Sequence, residues 1–217
     1  MELQRLLNTS LLQEWIDPSF LHLQKLRKLQ KLFLVQKPFP HLVLANFLVE
    51  GKANAILKAV KKEQFHLKEA DLFQFLQTND FLGARNSILR EFRELLRSKE
   101  FILYLCFLTC QTLKEGAVDM AGTIYRDTDY LLCHDDQLEG RSIAYLYYLS
   151  TLSKNDGGSL NLFASNDGVP TIVAKKILPS FNTFTFFLVS PLSFHEVEEV
   201  VHTVQRITVG GWFYGRD

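Results

Sequence analysis

The sequence predicts an α+β fold, with helices first and a β-rich C-terminal half whose sheet carries those helices on one face. Leucines recur every three or four positions in the N-terminal half. From Ala117 onward, short runs rich in Ile, Tyr, Phe, Val and Thr replace them. Turn signals at 127–129, 137–140, 155–158, 166–170, 179–182 and 210–211 bound those runs, the texture of a sandwich or barrel. A chain of 217 residues suits one sizeable core, and 47% hydrophobic against 22% charged residues excludes a disordered or fibrous chain. Lysines and arginines (24) balance aspartates and glutamates (24), so global charge points to no polyanionic partner.

In chain order, residues 10–36 are leucine-rich, and the spacing of Leu23, Leu26, Leu29, Leu32 and Phe33 predicts an amphipathic helix. Lys25, Arg27, Lys28 and Lys31 lie between them, with Lys37 just beyond, and are read as the solvated side of a packed helix in preference to an RNA contact. The prolines of KPFPHLVLANFLV end that helix, and the apolar run after them predicts a strand. Residues 1–37 are accordingly expected as a helical extension to one domain spanning 38–217. Helical patterns follow over 51–62 and 82–98, the latter carried by Ile88, Phe92, Leu95 and Leu96. Residues 67–77 are expected as a shorter helix, and 101–113 as a buried helix or strand between which periodicity does not choose. In DGGSL, Gly157 and Gly158 supply positive φ for a tight hairpin.

The N-terminal MELQRLLNTSLLQEW lacks the pattern of a secretory signal. The longest charge-free stretch, Ile177 to Phe194, is interrupted by Pro179 and Pro191 and does not suit a membrane span, so no membrane partner is expected. Cys106, Cys110 and Cys133 are odd in number and form no zinc-knuckle or redox spacing. They are expected as reduced thiols of a cytoplasmic protein, the first two in the core.

The chemistry concentrates in LLCHDDQLEGR, residues 131–141. If this is a strand end, alternation turns His134 and Asp136 one way and Cys133 and Asp135 the other, offering an imidazole and a carboxylate to one ion. An H-x-D pair alone is common and binds weakly. His195, in SPLSFHEVEEV, would be the third ligand, although taken singly it reads as an ordinary core or surface histidine. Two histidines and a carboxylate leave positions of an octahedral ion open, the arrangement of non-haem iron(II) oxygenases. In QRITVGGWFYG, alternation places Arg206 and Thr208 on one face, and an inward guanidinium requires an anion, best a carboxylate that matches its fork. Asp135 is expected to be solvated or to support the site, Glu139 and Arg141 to form a local ion pair or to support the site, and His202 to be exposed. Glu196, Glu198 and Glu199 form an acidic patch, read as a solvated turn or a contact for a basic substrate.

Together, AVDMAGTIYRDTDYLLCHDDQLEGRSIAYLYYLS, DGGSLNLF, ILPSFNTFTFFLVSPLSFHEVEEV and RITVGGWFYG resemble, in order and spacing, the catalytic domain of the ribosomal prolyl hydroxylases among the 2-oxoglutarate- and iron(II)-dependent oxygenases. The resemblance is close from about Ala117 to Gly215 and looser back to Phe39. It implies a double-stranded β-helix, a jelly-roll-type pair of sheets with the metal between them. It further implies iron(II) on His134, Asp136 and His195, and 2-oxoglutarate on Arg206 with Tyr125, Tyr148 and Thr208. Dioxygen would be the cosubstrate and L-ascorbate an accessory reductant. The implied reaction hydroxylates a prolyl residue of a protein, a small-subunit ribosomal protein, as 2-oxoglutarate becomes succinate and carbon dioxide. Relatives of this kind carry a second domain of the same fold, which this sequence is not expected to contain. The alternatives are the same chemistry on a small molecule or another side chain, and a catalytically silent metal-binding module.

Overall fold

The computed structural model describes residues 2–216. Helices α1 (Glu2–Leu7), α2 (Ser10–Trp15) and α3 (Leu23–Val35) precede strand β1 (His41–Ala45) and helix α4 (Glu50–Val60). A hairpin of β2 (His66–Ala70) and β3 (Phe73–Gln77) leads to α5 (Ser87–Arg97) and α6 (Lys99–Thr109). Then come β4 (Leu113–Val118), β5 (Ala121–Tyr125), β6 (Tyr130–His134), β7 (Arg141–Tyr148) and β8 (Leu160–Asn166). Strands β9 (Val169–Ile177), β10 (Thr183–Leu188), β11 (His195–Val197) and β12 (Arg206–Gly215) complete the order. Among the described residues, no helix is long and apolar enough to cross a membrane.

The sheet runs β1-β10-β7-β12-β5-β3-β6-β11-β8-β9, with β2 on β3 and β4 on β12, and its strand pairs are antiparallel. It is curled rather than open. Leu160 and Leu162 of β8 and Ile177 of β9 share one apolar cluster with Ala144 of β7, Phe187 of β10 and Phe39, so the far ends of the strand order face each other. This is the double-stranded β-helix implied by the resemblance. Strand β3 is the joint between the halves, pairing Leu76 and Gln77 with β5, and Phe73 and Gln74 with β6.

Alternation divides each central strand between two jobs. Tyr145 and Tyr147 of β7 and Phe184 and Phe186 of β10 face the helices, where Phe33 of α3 stacks on Phe186 at 5.8 Å and Phe92 of α5 meets Tyr147 at 5.5 Å. Leu12, Trp15, Leu26 and Phe33, all upstream of residue 38, are buried in that same core. The intervening residues of the strands, Ala144, Phe187 and their neighbours, turn to the inside of the curl.

Four local expectations are corrected. Residues 66–77 are a hairpin closed by Asp71 and Leu72, because Phe73 and Phe75 recur with period two and Phe75 packs its ring on Tyr125 at 4.9 Å. Within 10–36, Pro18 interrupts the helix, with the Asp17 carboxylate accepting from Ser19 N–H to begin a 3-10 turn before α3. The 101–113 stretch is helical to Thr109, opened by the Ser98 hydroxyl accepting from Phe101 N–H; Cys110 ends it at φ 57 and is exposed instead of lying in the core. Gly157 and Gly158 do have positive φ (66° and 68°), but they lie between a 3-10 turn and β8 and not at a hairpin tip. All three cysteines are free thiols.

Candidate active site

A cavity of about 680 Å³ opens inside the curl, lined by β5, β6, β7, β11, β12 and the β2–β3 hairpin. His134 ends β6 and His195 begins β11, and the ladder places them directly opposite, with ring centroids 4.2 Å apart. Asp136 completes the group. Its Oδ1 lies 3.4 Å from His134 Nε2 and its Oδ2 3.4 Å from His195 Nε2, and one potential ligand atom of each residue falls within 4.8 Å of the others. Asp136 does not reach this place by strand alternation. Strand β6 ends at His134, and Asp136 sits at φ 63, so a left-handed turn brings its carboxylate back. Asp135 is directed elsewhere, its Oδ1 accepting from Gln137 N–H at 3.0 Å.

Both imidazoles are oriented from behind. Nδ1 of His134 bonds to the Leu132 carbonyl and Nδ1 of His195 to the Ser193 carbonyl, each at 2.8 Å. A carbonyl only accepts, so Nδ1 carries the hydrogen in both rings and Nε2 turns to Asp136. Burial opposes the charged form of Asp136, but the His134 and His195 imidazoles beside it hold its carboxyl well below the usual carboxylate range. Burial likewise disfavours protonated His134, yet the Asp136 carboxylate beside it raises its pKa. The cluster thus attracts positive charge, and its two nitrogens and one oxygen suit a borderline divalent cation such as iron(II).

Arg206, the first residue of β12, is fully buried. Its Nε donates to the Gly158 carbonyl at 2.8 Å and its Nη2 to the Tyr148 hydroxyl at 3.4 Å, while its guanidinium lies 5.1 Å from the ring centroids of Tyr125 and Tyr148. Nη1 is buried without a partner. Desolvating a cation costs several kcal/mol, on the order of what an unpaired buried charge forfeits, so this atom calls for an anion. Burial pushes the hydroxyl pKa of Tyr125 and of Tyr148 upward, with Arg206 partly offsetting it, so both remain neutral hydrogen-bonding groups. Thr208, two residues on and also buried, shares a hydrogen bond with Thr123 through their hydroxyls and lines the same cavity. A carboxylate on Nη1 and a metal ion on the His–Asp–His cluster would occupy one cavity.

All seven residues singled out in the sequence therefore converge here, Tyr148 through its bond to Arg206. Two further participants, Trp212 and Gly158, lie outside the sequence expectations, and Arg141 takes the second of its two expected roles. Trp212 Nε1–H donates to Asp136 Oδ2 at 3.0 Å, and its position on the Arg206 face of an alternating strand was the available signal. Arg141 turns to Asp136, with Nη1 3.8 Å from Oδ1, and not to Glu139; its guanidinium covers the Trp212 ring at 3.4 Å. Gly158 holds Arg206 through its carbonyl, a backbone role that its residue type does not announce. Glu196 and Glu198 form no free patch: Glu196 accepts from Asn161 at 2.8 Å and Glu198 from the Ser159 hydroxyl and Lys176, fastening β11 to β8 and β9. His202 is exposed, as expected.

Comparison with known proteins agrees with this geometry. Residues 120–214 match the 2OG-Fe(II) oxygenase superfamily. The chain is 40% identical over 185 residues to the prolyl 3-hydroxylase OGFOD1 of Xenopus laevis, an alignment covering 82% of this chain and 35% of that protein. It is 35% identical over 189 residues to the prolyl 3-hydroxylase sudestada1 of Drosophila melanogaster, again over 82% and 35%. The chain thus spans about a third of the length of the curated relatives it matches. In fold it is similar to a prolyl hydroxylase solved with a hypoxia inducible factor peptide fragment from Trichoplax adhaerens, at TM-score 0.68 and 18% identity, covering 89% of this chain and 92% of that one. Residues 120–214, which hold all seven of these side chains, thus match the 2OG-Fe(II) oxygenase superfamily.

Proposed function

We propose that the chain is a 2-oxoglutarate- and iron(II)-dependent dioxygenase that hydroxylates a prolyl residue of a protein, with a small-subunit ribosomal protein as substrate and the cytoplasm as its location. The observation that carries the reading is a buried guanidinium with a free Nη1 in the same cavity as a His–Asp–His cluster. The names of the prolyl 3-hydroxylase relatives support the prolyl target and favour carbon 3.

In this reading His134, Asp136 and His195 hold iron(II), while Arg206, Tyr125, Tyr148 and Thr208 hold 2-oxoglutarate. The bound iron, with 2-oxoglutarate and dioxygen, supplies the oxidising chemistry, the oxo acid leaving as succinate and carbon dioxide. The chain's own part is to bind, orient and exclude water. The Leu132 and Ser193 carbonyls fix the tautomers that free Nε2 of His134 and His195 for the ion. Arg206, already held by Gly158 and Tyr148, meets the distal carboxylate with a preset fork. Phe73, Phe75 and Leu131 give the cavity an apolar wall. L-ascorbate is the accessory reductant in this reading.

The test is turnover by the purified, iron-loaded chain with proline-containing peptides from small-subunit ribosomal proteins. The expected result is succinate formation coupled to the gain of one oxygen on a proline. Turnover only with a free amino acid or another side chain would overturn the substrate, and no 2-oxoglutarate consumption with any candidate would overturn the activity.

A further inference from the structure

We propose that Trp212, held in place by Arg141, is a positioning residue that restricts Asp136 to a single metal-binding oxygen. This rests on the metal reading above. The indole N–H lies 3.0 Å from Asp136 Oδ2 and can only donate. The other carboxylate oxygen is treated differently. Arg141 Nη1 stops 3.8 Å from Oδ1, beyond hydrogen-bonding distance, so Oδ1 keeps its lone pairs for an ion.

The indole cannot readily swing away, because the Arg141 guanidinium covers its ring at 3.4 Å and both side chains line the cavity. Asp136 depends on such anchorage. It lies beyond the end of β6 in a left-handed turn, where no ladder fixes its direction. Trp212 also stands on β12 with Arg206, so one strand holds both the anion anchor and the metal carboxylate and sets the distance between them.

The consequence is a matter of open positions. Two imidazoles and one carboxylate oxygen leave half of an octahedron free, whereas a carboxylate bound through both oxygens closes one of the positions that an oxo acid and dioxygen require. Occupying Oδ2 with a neutral donor prevents that closure without adding charge.

Manganese(II) binding, followed by the electron paramagnetic resonance of the free ion, tests this without reference to turnover. Trp212→Phe keeps the ring under Arg141 and removes only the donor, while Arg141→Met removes the clamp. Both are expected to weaken Mn(II) binding about tenfold or more, and Trp212→Phe to weaken 2-oxoglutarate binding to the Mn(II) form as well. In the wild-type chain the Trp212 indole N–H should give a downfield, exchange-protected proton resonance that moves in Asp136→Ala, a measurement that stands even if Trp212→Phe fails to fold. Affinities within about twofold of wild type in both variants, with His134→Ala having lost the metal, would overturn this inference alone, as would an unprotected indole resonance. A wild-type chain that binds no Mn(II), or a His134→Ala chain that binds it equally, overturns the metal reading and this inference together.

Discussion

The Gly158 carbonyl accepts from Arg206 Nε at 2.8 Å, and this bond holds a guanidinium whose Nη1 is unpartnered at the lining of the cavity. Gly158 can do so because it has φ 68 and no side chain: a Cβ there would stand 2.9 Å from Leu152 and 3.0 Å from Val200. Gly158→Ala is expected to cost about 1–3 kcal/mol of stability and to raise the KM for 2-oxoglutarate more than it lowers kcat. Chemical denaturation and steady-state kinetics check the two effects.

Arg206 separates binding from stability. Arg206→Met removes a buried charge that has an unmade bond, so the ligand-free chain should melt no lower than wild type while losing its thermal stabilisation by 2-oxoglutarate. Arg206→Lys keeps the charge without the fork and should weaken 2-oxoglutarate by about tenfold or more. Differential scanning fluorimetry with and without the oxo acid distinguishes these outcomes.

The adjacent aspartates should behave unequally. Asp136→Ala removes the carboxylate shared by both histidines and is expected to abolish metal binding and turnover. Asp135→Ala loses one turn hydrogen bond to Gln137 N–H, worth about 0.5–1.5 kcal/mol, and should keep most activity. Equal loss in both, measured as succinate release, would contradict the placement of the site.

Alkaline pH should unfold the chain. Burial raises the hydroxyl pKa of Tyr104, Tyr125, Tyr145, Tyr147 and Tyr148. A folded value above the unfolded one gives stability that is complete below about pH 10, the unfolded value, and lost as the pH rises past it. Tyrosinate absorbance should therefore fall short of the seven tyrosines until near-UV circular dichroism is lost, and the two changes should coincide.

The site was more legible than its supports. Ligand types, the inward face of β12 and the turn-bounded strands follow from residue chemistry and period, and these locate His134, His195 and Arg206. Asp136 lies beside both histidines, but alternation is a mistaken ground for that position, since a left-handed turn beyond β6 aims the carboxylate there. The helix expected over 67–77 is a strand pair because a short apolar stretch carries either period, and what decides it, the Phe75–Tyr125 stack, spans fifty residues. The same limit leaves Arg141 with two expectations, an ion pair with Glu139 or support of the site, and only its partner in space, Asp136, decides between them.

Strand β3 gives the molecule a seam. The histidines stand on β6 and β11, on one side of it; Arg206, Tyr125 and Tyr148 stand on β12, β5 and β7, on the other. Four residues of one half-buried strand stitch these sides along the ladder. A chain whose seam is open holds the two histidines on one half and the anion anchor on the other, so neither half alone makes the site. Closing the seam brings Trp212 to Asp136, so the contact that completes the carboxylate also certifies that the two halves have met.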